Sequence, residues 1–190
     1  MAELTLGFAL CGSFCTYRRV LEQLEALHEK YPDIIPILSE ASDTIDSRFG
    51  TAEEHKARIR EICGRPPLTT LAQVEPFGPK GLLDLLVIAP CTGNTLGKLA
   101  AGIADSPVTL ACKAHLRNQR PVVIAVSTND ALAANASNLG ILLARKNFYF
   151  VPFGQDDPMG KPCSLVADFT KLPETVAATL EGRQIQPILL

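Results

Sequence analysis

With 190 residues, 47% hydrophobic and 20% charged, the chain falls in the soluble globular range. That length suits one domain burying roughly 70% of its unfolded surface. A formal net charge of -2 gives no electrostatic footprint for nucleic acid or an anionic membrane, so neither is an expected partner.

The opening Met-Ala-Glu-Leu-Thr-Leu lacks a charged region ahead of an apolar segment, so no signal peptide is expected, and no run approaches the roughly 18 apolar residues of a membrane span. Leu4 to Leu10 reads as a first strand, and Cys11-Gly12-Ser13-Phe14 as a turn. Thr16 is placed to cap a helix to about Glu29, where Val20, Leu21, Leu24, Leu27 and His28 recur at helical spacing. Ile34 to Leu38 predicts a second strand, followed by a polar turn over Ser39–Asp43. Phe49 through Ile62 contains a polar helix closed by Cys63-Gly64-Arg65-Pro66-Pro67. Residues 68–80 read as a short strand near Leu68–Leu71 and then a Pro/Gly-rich loop. Leu85–Ala89 is an apolar run too short for a typical helix; it ends at Pro90, and a helical pattern follows. Pro107 starts a helix through Arg117, its missing N–H being harmless at a first helical position. Pro121–Val126 is the next strand, Ala131–Lys146 a helix, Phe148–Val151 a final strand, Gly154–Pro162 a loop and Pro173–Leu180 a closing helix. Strands alternating with helices predict an α/β, Rossmann-like doubly wound parallel sheet covered on both faces. No internal repeat or linker interrupts it, so residues 1–190 read as one domain.

Candidate site residues collect where strands end. At Pro90-Cys91-Thr92-Gly93-Asn94-Thr95 a buried strand delivers its carboxyl end to a helix start, the place where open α/β sheets bind ligands and free N–H groups favour anions. Thr92, Asn94 and Thr95 add side-chain donors and acceptors, and Gly93 permits close backbone approach. An ordinary capped turn uses the same residue types, so spacing alone leaves both readings open. Gly12-Ser13, Ser39, and the Ser127 and Asn129 of Val126–Asp130 are in the same position. The first turn is not a Gly-x-Gly-x-x-Gly fingerprint, which argues against a standard NAD site. Without an export signal the six cysteines are expected as free thiols. Cys11-x-x-x-Cys15 lacks metal or redox spacing and only three histidines exist, so no metal site is expected.

The pattern Ala89-Pro90-x-Thr92-x-Asn94-Thr95-x-x-Lys98-x-Ala100-x-Gly102-Ile103-x-Asp105 resembles the flavin-binding signature of the flavoprotein family that includes the homo-oligomeric, flavin-containing cysteine decarboxylases. The resemblance implies an FMN-pocket fold, with FMN contacts along Pro90, Cys91, Thr92, Gly93, Asn94 and Thr95. It further implies contacts from Gly12-Ser13, from the hydroxyl of Ser39, and from the segment of Ser127 and Asn129. The Cys91 side chain reads as packing, because the family carries a small apolar residue there. Asn129 matches the asparagine that acts on substrate and flavin in the decarboxylases. Their tryptophan has no counterpart in a chain without tryptophan. Their catalytic histidine would fall near Glu75, in a motif absent here, while His28 and His55 read as surface or boundary residues.

A fuller resemblance, carried by Gly7–Thr16, Ala89–Ala100, Ser127–Gly140 and Asn147–Ser164, is to the B-subunit family of dipicolinate synthases. It implies a sporulation role in the mother-cell cytoplasm, with a dehydrogenase-like A subunit, in oxidising a dihydrodipicolinate-type precursor to pyridine-2,6-dicarboxylate. FMN would sit on this chain, NAD(P) on the partner subunit, and the chain would form a homo-oligomer. No catalytic residue is assigned. Two carboxylates on a planar ring call for cations, and Arg18, Arg19, Lys113, His115, Arg117 and Lys161 lie near the inferred turns. Lys161 is favoured, because its loop follows a strand end. Two other readings stay open: a non-catalytic, partner-binding subunit with a vestigial flavin pocket, and a flavin-dependent decarboxylase.

Overall fold

The computed structural model describes residues 4–190. In chain order its elements are β1 (Thr5–Leu10), α1 (Tyr17–Lys30), β2 (Asp33–Leu38), α2 (Glu40–Thr44), α3 (Ala52–Cys63), α4 (Leu71–Val74), α5 (Phe77–Lys80), β3 (Leu85–Cys91), α6 (Gly93–Ala101), α7 (Pro107–Leu116), β4 (Val122–Thr128), α8 (Ala136–Leu143), β5 (Phe148–Phe150), β6 (Phe153–Gly154), β7 (Leu165–Ala167) and α9 (Leu172–Leu180).

The uncharged runs of β1, β3 and β4 form the centre of the sheet, because only strands covered by helices on both faces can be apolar at successive positions. The parallel order is β2-β1-β3-β4, with β5 beside the first half of β4. Leu6, Phe8, Leu86, Ile88, Val123 and Ile124 are fully buried in one continuous core. Each such side chain contributes roughly 1.5–3 kcal/mol of transfer free energy.

The sheet is mostly parallel, as expected, with an antiparallel return at one edge. Ser127 and Thr128 at the end of β4 pair antiparallel with β7, and β6 pairs antiparallel with β7, so β5 is not the last strand. The chain leaves β6 through the 155–164 loop and folds back on itself, which brings that loop over the carboxyl end of β4.

The polar helix read within Phe49–Ile62 is present as Ala52–Cys63, started by a reciprocal capping box of Thr51 and Glu54. Three local expectations change. In place of a turn over Ser39–Asp43, residues from Glu40 form the short helix α2, whose N-cap Ser39 accepts from the Ser42 N–H. Around Leu68 a single bridge to Ile37 replaces a strand, and a Thr70–Gln73 capping box starts α4. The helix expected from Ala131 begins only at Ala136. The backbone oxygen of Asp130 accepts from the N–H groups of Ala133 and Asn135, and its carboxylate accepts from the Asn135 amide at 2.7 Å. Those bonds hold 130–135 as turns. Among the described residues no helix is long and apolar enough to cross a membrane.

Candidate functional site

The carboxyl ends of β1, β2, β3 and β4 give way to Cys11–Ser13, Ser39, Thr92–Asn94 and Ser127–Asp130, and these turns enclose a cleft with two lobes. The larger, about 810 Å³, carries Ser13, Phe14, Gly93, Ser127 and Asn129 on its wall. The smaller, about 480 Å³, carries Ser39, Thr95, Lys98 and Ser106. Gly12, Thr92 and Asn94 belong to both and form the boundary between them.

The smaller lobe gathers helix starts. Ser39, Thr92 and Ser106 are the N-caps of α2, α6 and α7, accepting from Ser42, Thr95 and Thr109 N–H groups. Helix starts leave N–H groups without intrahelical partners and carry partial positive charge. Lys98 adds a cation, held by both oxygens of Asp105 at 2.8 and 3.0 Å. The hydrogen bond from Lys98 keeps the Asp105 carboxyl below its ordinary range. Hydroxyls and helix starts form a donor set suited to an anionic group such as a phosphate monoester, beside the carboxylate of Glu40 and a Lys98 engaged by Asp105.

The larger lobe is flatter and more apolar. Ser13 and Ser127 hydroxyls meet at 2.7 Å across the ends of β1 and β4. Behind Gly93, Thr128 donates to Asp130 at 2.5 Å, Asn135 donates to the other Asp130 oxygen at 2.7 Å, and Asn138 donates to Asn135 at 2.9 Å. This network leaves no room for a side chain at position 93. Phe14 stacks on His55 at 6.4 Å, and Tyr17 meets the same ring edge-on at 4.7 Å. His55, expected at the surface or boundary, is thus buried, with Nε2 unpartnered among the described residues and its pKa lowered by burial. The Ser47–Gly50 turn brings Arg48 and Phe49 to the far wall, and the loop after β6 brings Lys161 and Asp156, paired at 3.0 Å. Burial opposes the charge on Asp156, but hydrogen bonds from Ser164 and Lys161 outweigh it and hold the carboxyl below its ordinary range.

Gly12, Ser13, Thr92, Gly93, Asn94, Ser127, Asn129 and Lys161 therefore converge on the larger lobe, and Ser39 and Thr95 on the smaller. Pro90 and Cys91 line neither. A register irregularity between Ile88 and Cys91 accompanies the inward turn of the Cys91 side chain, which is fully buried. Burial, reinforced by neighbouring Cys11 and Cys112, raises its thiol well above the ordinary range. Burial likewise raises Cys11 to about 11 and Cys112 to about 12, while Cys15 is exposed on the cleft wall. In native protein at pH 7.5 iodoacetamide should therefore modify Cys15 long before Cys11, Cys91 or Cys112. Cys91→Ala should cost about 1 kcal/mol, the value of one small buried group. Rapid native-state alkylation of Cys91, read by peptide mass spectrometry, would contradict this placement.

Of the cations weighed from sequence, only Lys161 reaches the cleft. Arg18 pairs with Glu22, Arg19 lies over the Phe169 ring, and Lys113 and Arg117 line neither lobe. His115 is buried with its pKa lowered to about 4, so it is neutral near pH 7. Glu75, where a decarboxylase histidine was expected to fall, is exposed and outside both lobes. Arg48 and Phe49 are not marked as site residues by the sequence. Their only local signal is the terminal glycine of Ser47-Arg48-Phe49-Gly50, which marks a tight turn without saying what it faces.

The family model described as Flavoprotein matches residues 1–141 of the chain. The chain is similar to the dipicolinate synthase B subunit of Bacillus subtilis (strain 168), with 45% identity over 185 residues, covering 97% of this chain and 92% of that protein. The crystal structure of the dipicolinate synthase B subunit from Bacillus halodurans C matches with a TM-score of 0.90 and 47% identity, covering 100% of this chain and 98% of that one. The crystal structure of Burkholderia xenovorans DmrB in complex with FMN, a cubic protein cage for redox transfer, matches with a TM-score of 0.70 and 20% identity, covering 95% and 97% of the two chains. At that identity the likeness speaks to the fold alone.

Proposed function

Because the chain belongs to the flavoprotein family, in the company of dipicolinate synthase B subunits, we propose that it is the flavin-binding B subunit of a dipicolinate synthase. In this reading it works with a dehydrogenase-like A subunit, which carries NAD(P), to oxidise a dihydrodipicolinate-type precursor to pyridine-2,6-dicarboxylate in the cytoplasm of a sporulating cell. Residues 1–190 act as one domain that assembles as a homo-oligomer. The uncharged stretch Ala131–Ala144, with Leu132, Ile141 and Leu143 each more than 40% exposed, offers a face suited to another copy.

The observation that carries the reading is the division of the cleft: a lobe of helix starts and hydroxyls opens, at Gly12, Thr92 and Asn94, into a broader lobe faced by Phe14 and Phe49. The donor set fits FMN, with the phosphate against the Ser39, Thr92 and Ser106 caps and the planar ring in the larger lobe. When bound, FMN supplies a two-electron acceptor. Ser13, Asn94, Ser127 and Asn129 present hydrogen-bonding groups to the polar edges of what the larger lobe holds. The Asp130–Asn135–Asn138 network fixes the wall from which Gly93 and Asn129 project. No histidine lines either lobe among the described residues, which weighs against a histidine-assisted decarboxylase.

An absorbance spectrum with and without FMN, followed by calorimetric titration, tests the reading. FMN should bind, and Ser13→Ala and Asn94→Ala should each weaken it about five- to tenfold, the worth of one hydrogen bond. Asn94→Ala should unfold within about 0.5 kcal/mol of the parent, and Ser13→Ala, which leaves the buried Ser127 hydroxyl without its partner, should lose about 1 kcal/mol. Absence of binding at saturating FMN sinks the flavin mechanism. Parent-like affinity in both variants moves the flavin elsewhere.

A further inference from the structure

Among the described residues three cations face the cleft, and two are already engaged. Lys98 holds both oxygens of Asp105, and Lys161 holds Asp156. Arg48 makes no ion pair among the described residues, although it lines the larger lobe. The lobe's own carboxylates leave it free as well. Asp156 is taken up by Lys161, and both oxygens of Asp130 accept hydrogen bonds from Thr128 and Asn135. An exposed guanidinium at a cleft mouth whose fixed carboxylates are all committed is available to an anionic ligand.

The turn that carries it is preset. Ser47 and Gly50 exchange backbone hydrogen bonds at 3.0 and 3.2 Å, and the Phe49 N–H donates to the Ser47 hydroxyl at 3.1 Å. Gly50 has φ +133, and a Cβ there would lie 2.9 Å from Cε1 of the buried His55. The turn is thus seated directly on the Phe14–His55–Tyr17 cluster beneath the cleft. The Arg48 guanidinium carbon lies 4.8 Å from the centre of the Phe49 ring. Such an approach orients the planar guanidinium while leaving its N–H fork free for a carboxylate.

We propose that Arg48 is the specificity-determining residue of the larger lobe, receiving one carboxylate of a planar heteroaromatic dicarboxylate. The proposal rests on the dicarboxylate substrate inferred above and adds the residue that reads it. A lysine offers a point charge, whereas the arginine fork matches both oxygens of a ring carboxylate.

The test titrates the purified full chain, with saturating FMN and metal-free buffer, with pyridine-2,6-dicarboxylate and with pyridine-2-carboxylate. The parent should prefer the dicarboxylate about ten- to a hundredfold, the range for a charge-assisted bond. In Arg48→Gln that preference should collapse to within about threefold, and Arg48→Lys should recover part of it. Lys113→Gln, which removes a cation that lines neither lobe, should keep it. The unfolding midpoint of Arg48→Gln serves as a control that the exposed turn still folds. If the parent discriminates and Arg48→Gln discriminates equally, Arg48 is not the reader, while the dicarboxylate reading stands. If the parent binds neither acid, or both alike, the dicarboxylate reading falls and takes this proposal with it.

Discussion

Gly93→Ala is expected to lose about 3 kcal/mol of stability, the upper part of the usual cost of overpacking, and to lose FMN binding with it. The Cβ would stand 2.5 Å from Asn135 Nδ2, 2.6 Å from Asp130 Oδ1 and 2.7 Å from Thr128 Oγ1. These atoms are hydrogen-bonded to one another, so none can retreat without leaving a partner unsatisfied. Either the network opens or the first turn of α6 moves away, taking Thr92, Asn94 and Thr95 with it. The effect of alanine on the unfolded chain runs the other way, stabilising by roughly 0.4–1 kcal/mol, so a net loss reports the clash itself. Gly97, one helical turn later, supplies the contrast. Its Cβ would find Asn138 at 3.4 Å and Asn135 at 3.7 Å. There helix propensity governs, and Gly97→Ala should be neutral or gain up to about 1 kcal/mol. Urea unfolding of both variants decides the matter. Equal stability of Gly93→Ala and the parent would mean that the wall behind Gly93 yields freely.

The same position shows how much of the site was legible in the sequence. An apolar strand ending in Pro90 and followed by Thr92-Gly93-Asn94-Thr95 announces both a buried parallel strand and a helix start, because each signal is local. Ser13, Ser39 and Ser127 lie at strand ends, but the family resemblance, not local spacing, marks Ser39 and Ser127 as candidate flavin contacts. What stayed hidden depends on folding at longer range or on elements too short for a period. The strands β6 and β7 have two and three residues, so no alternation could mark them or reveal their antiparallel return. The delayed start of α8 hangs on Asp130, a residue whose turn-forming role competes locally with the helical pattern after it. Cys91 sits beside a register irregularity that simple strand parity does not foresee. Arg48 lies in a connection between helices, and only the packing of Gly50 on His55 sets where it points.

Acid should weaken this fold through a residue that the sequence places among the candidate cations. His115 is 2% exposed, and its Nε2 donates to the Pro121 carbonyl at 2.8 Å, joining α7 to the start of β4. Burial disfavours the imidazolium and lowers its pKa from 6.5 to about 4, although the bond to Pro121 works in the opposite direction. In the unfolded chain the ring regains its ordinary value, so between these two pH values the unfolded state holds a proton that the folded state refuses. The stabilisation is therefore complete above pH 6.5 and drains away as the pH falls toward 4, by about 3 kcal/mol in all. His55, lowered for the same reason, slopes in the same direction. The lowered carboxylates Asp105 and Asp156 add their own losses only as the pH passes through the more acidic range where they protonate. Urea midpoints at pH 7.5, 6.5, 5.5 and 4.5 should fall mainly across the lower three. In His115→Gln, whose amide can still donate to Pro121 but cannot titrate, the fall should shrink by more than half. An unchanged slope in that variant would assign the acid sensitivity to other groups and remove His115 as its source.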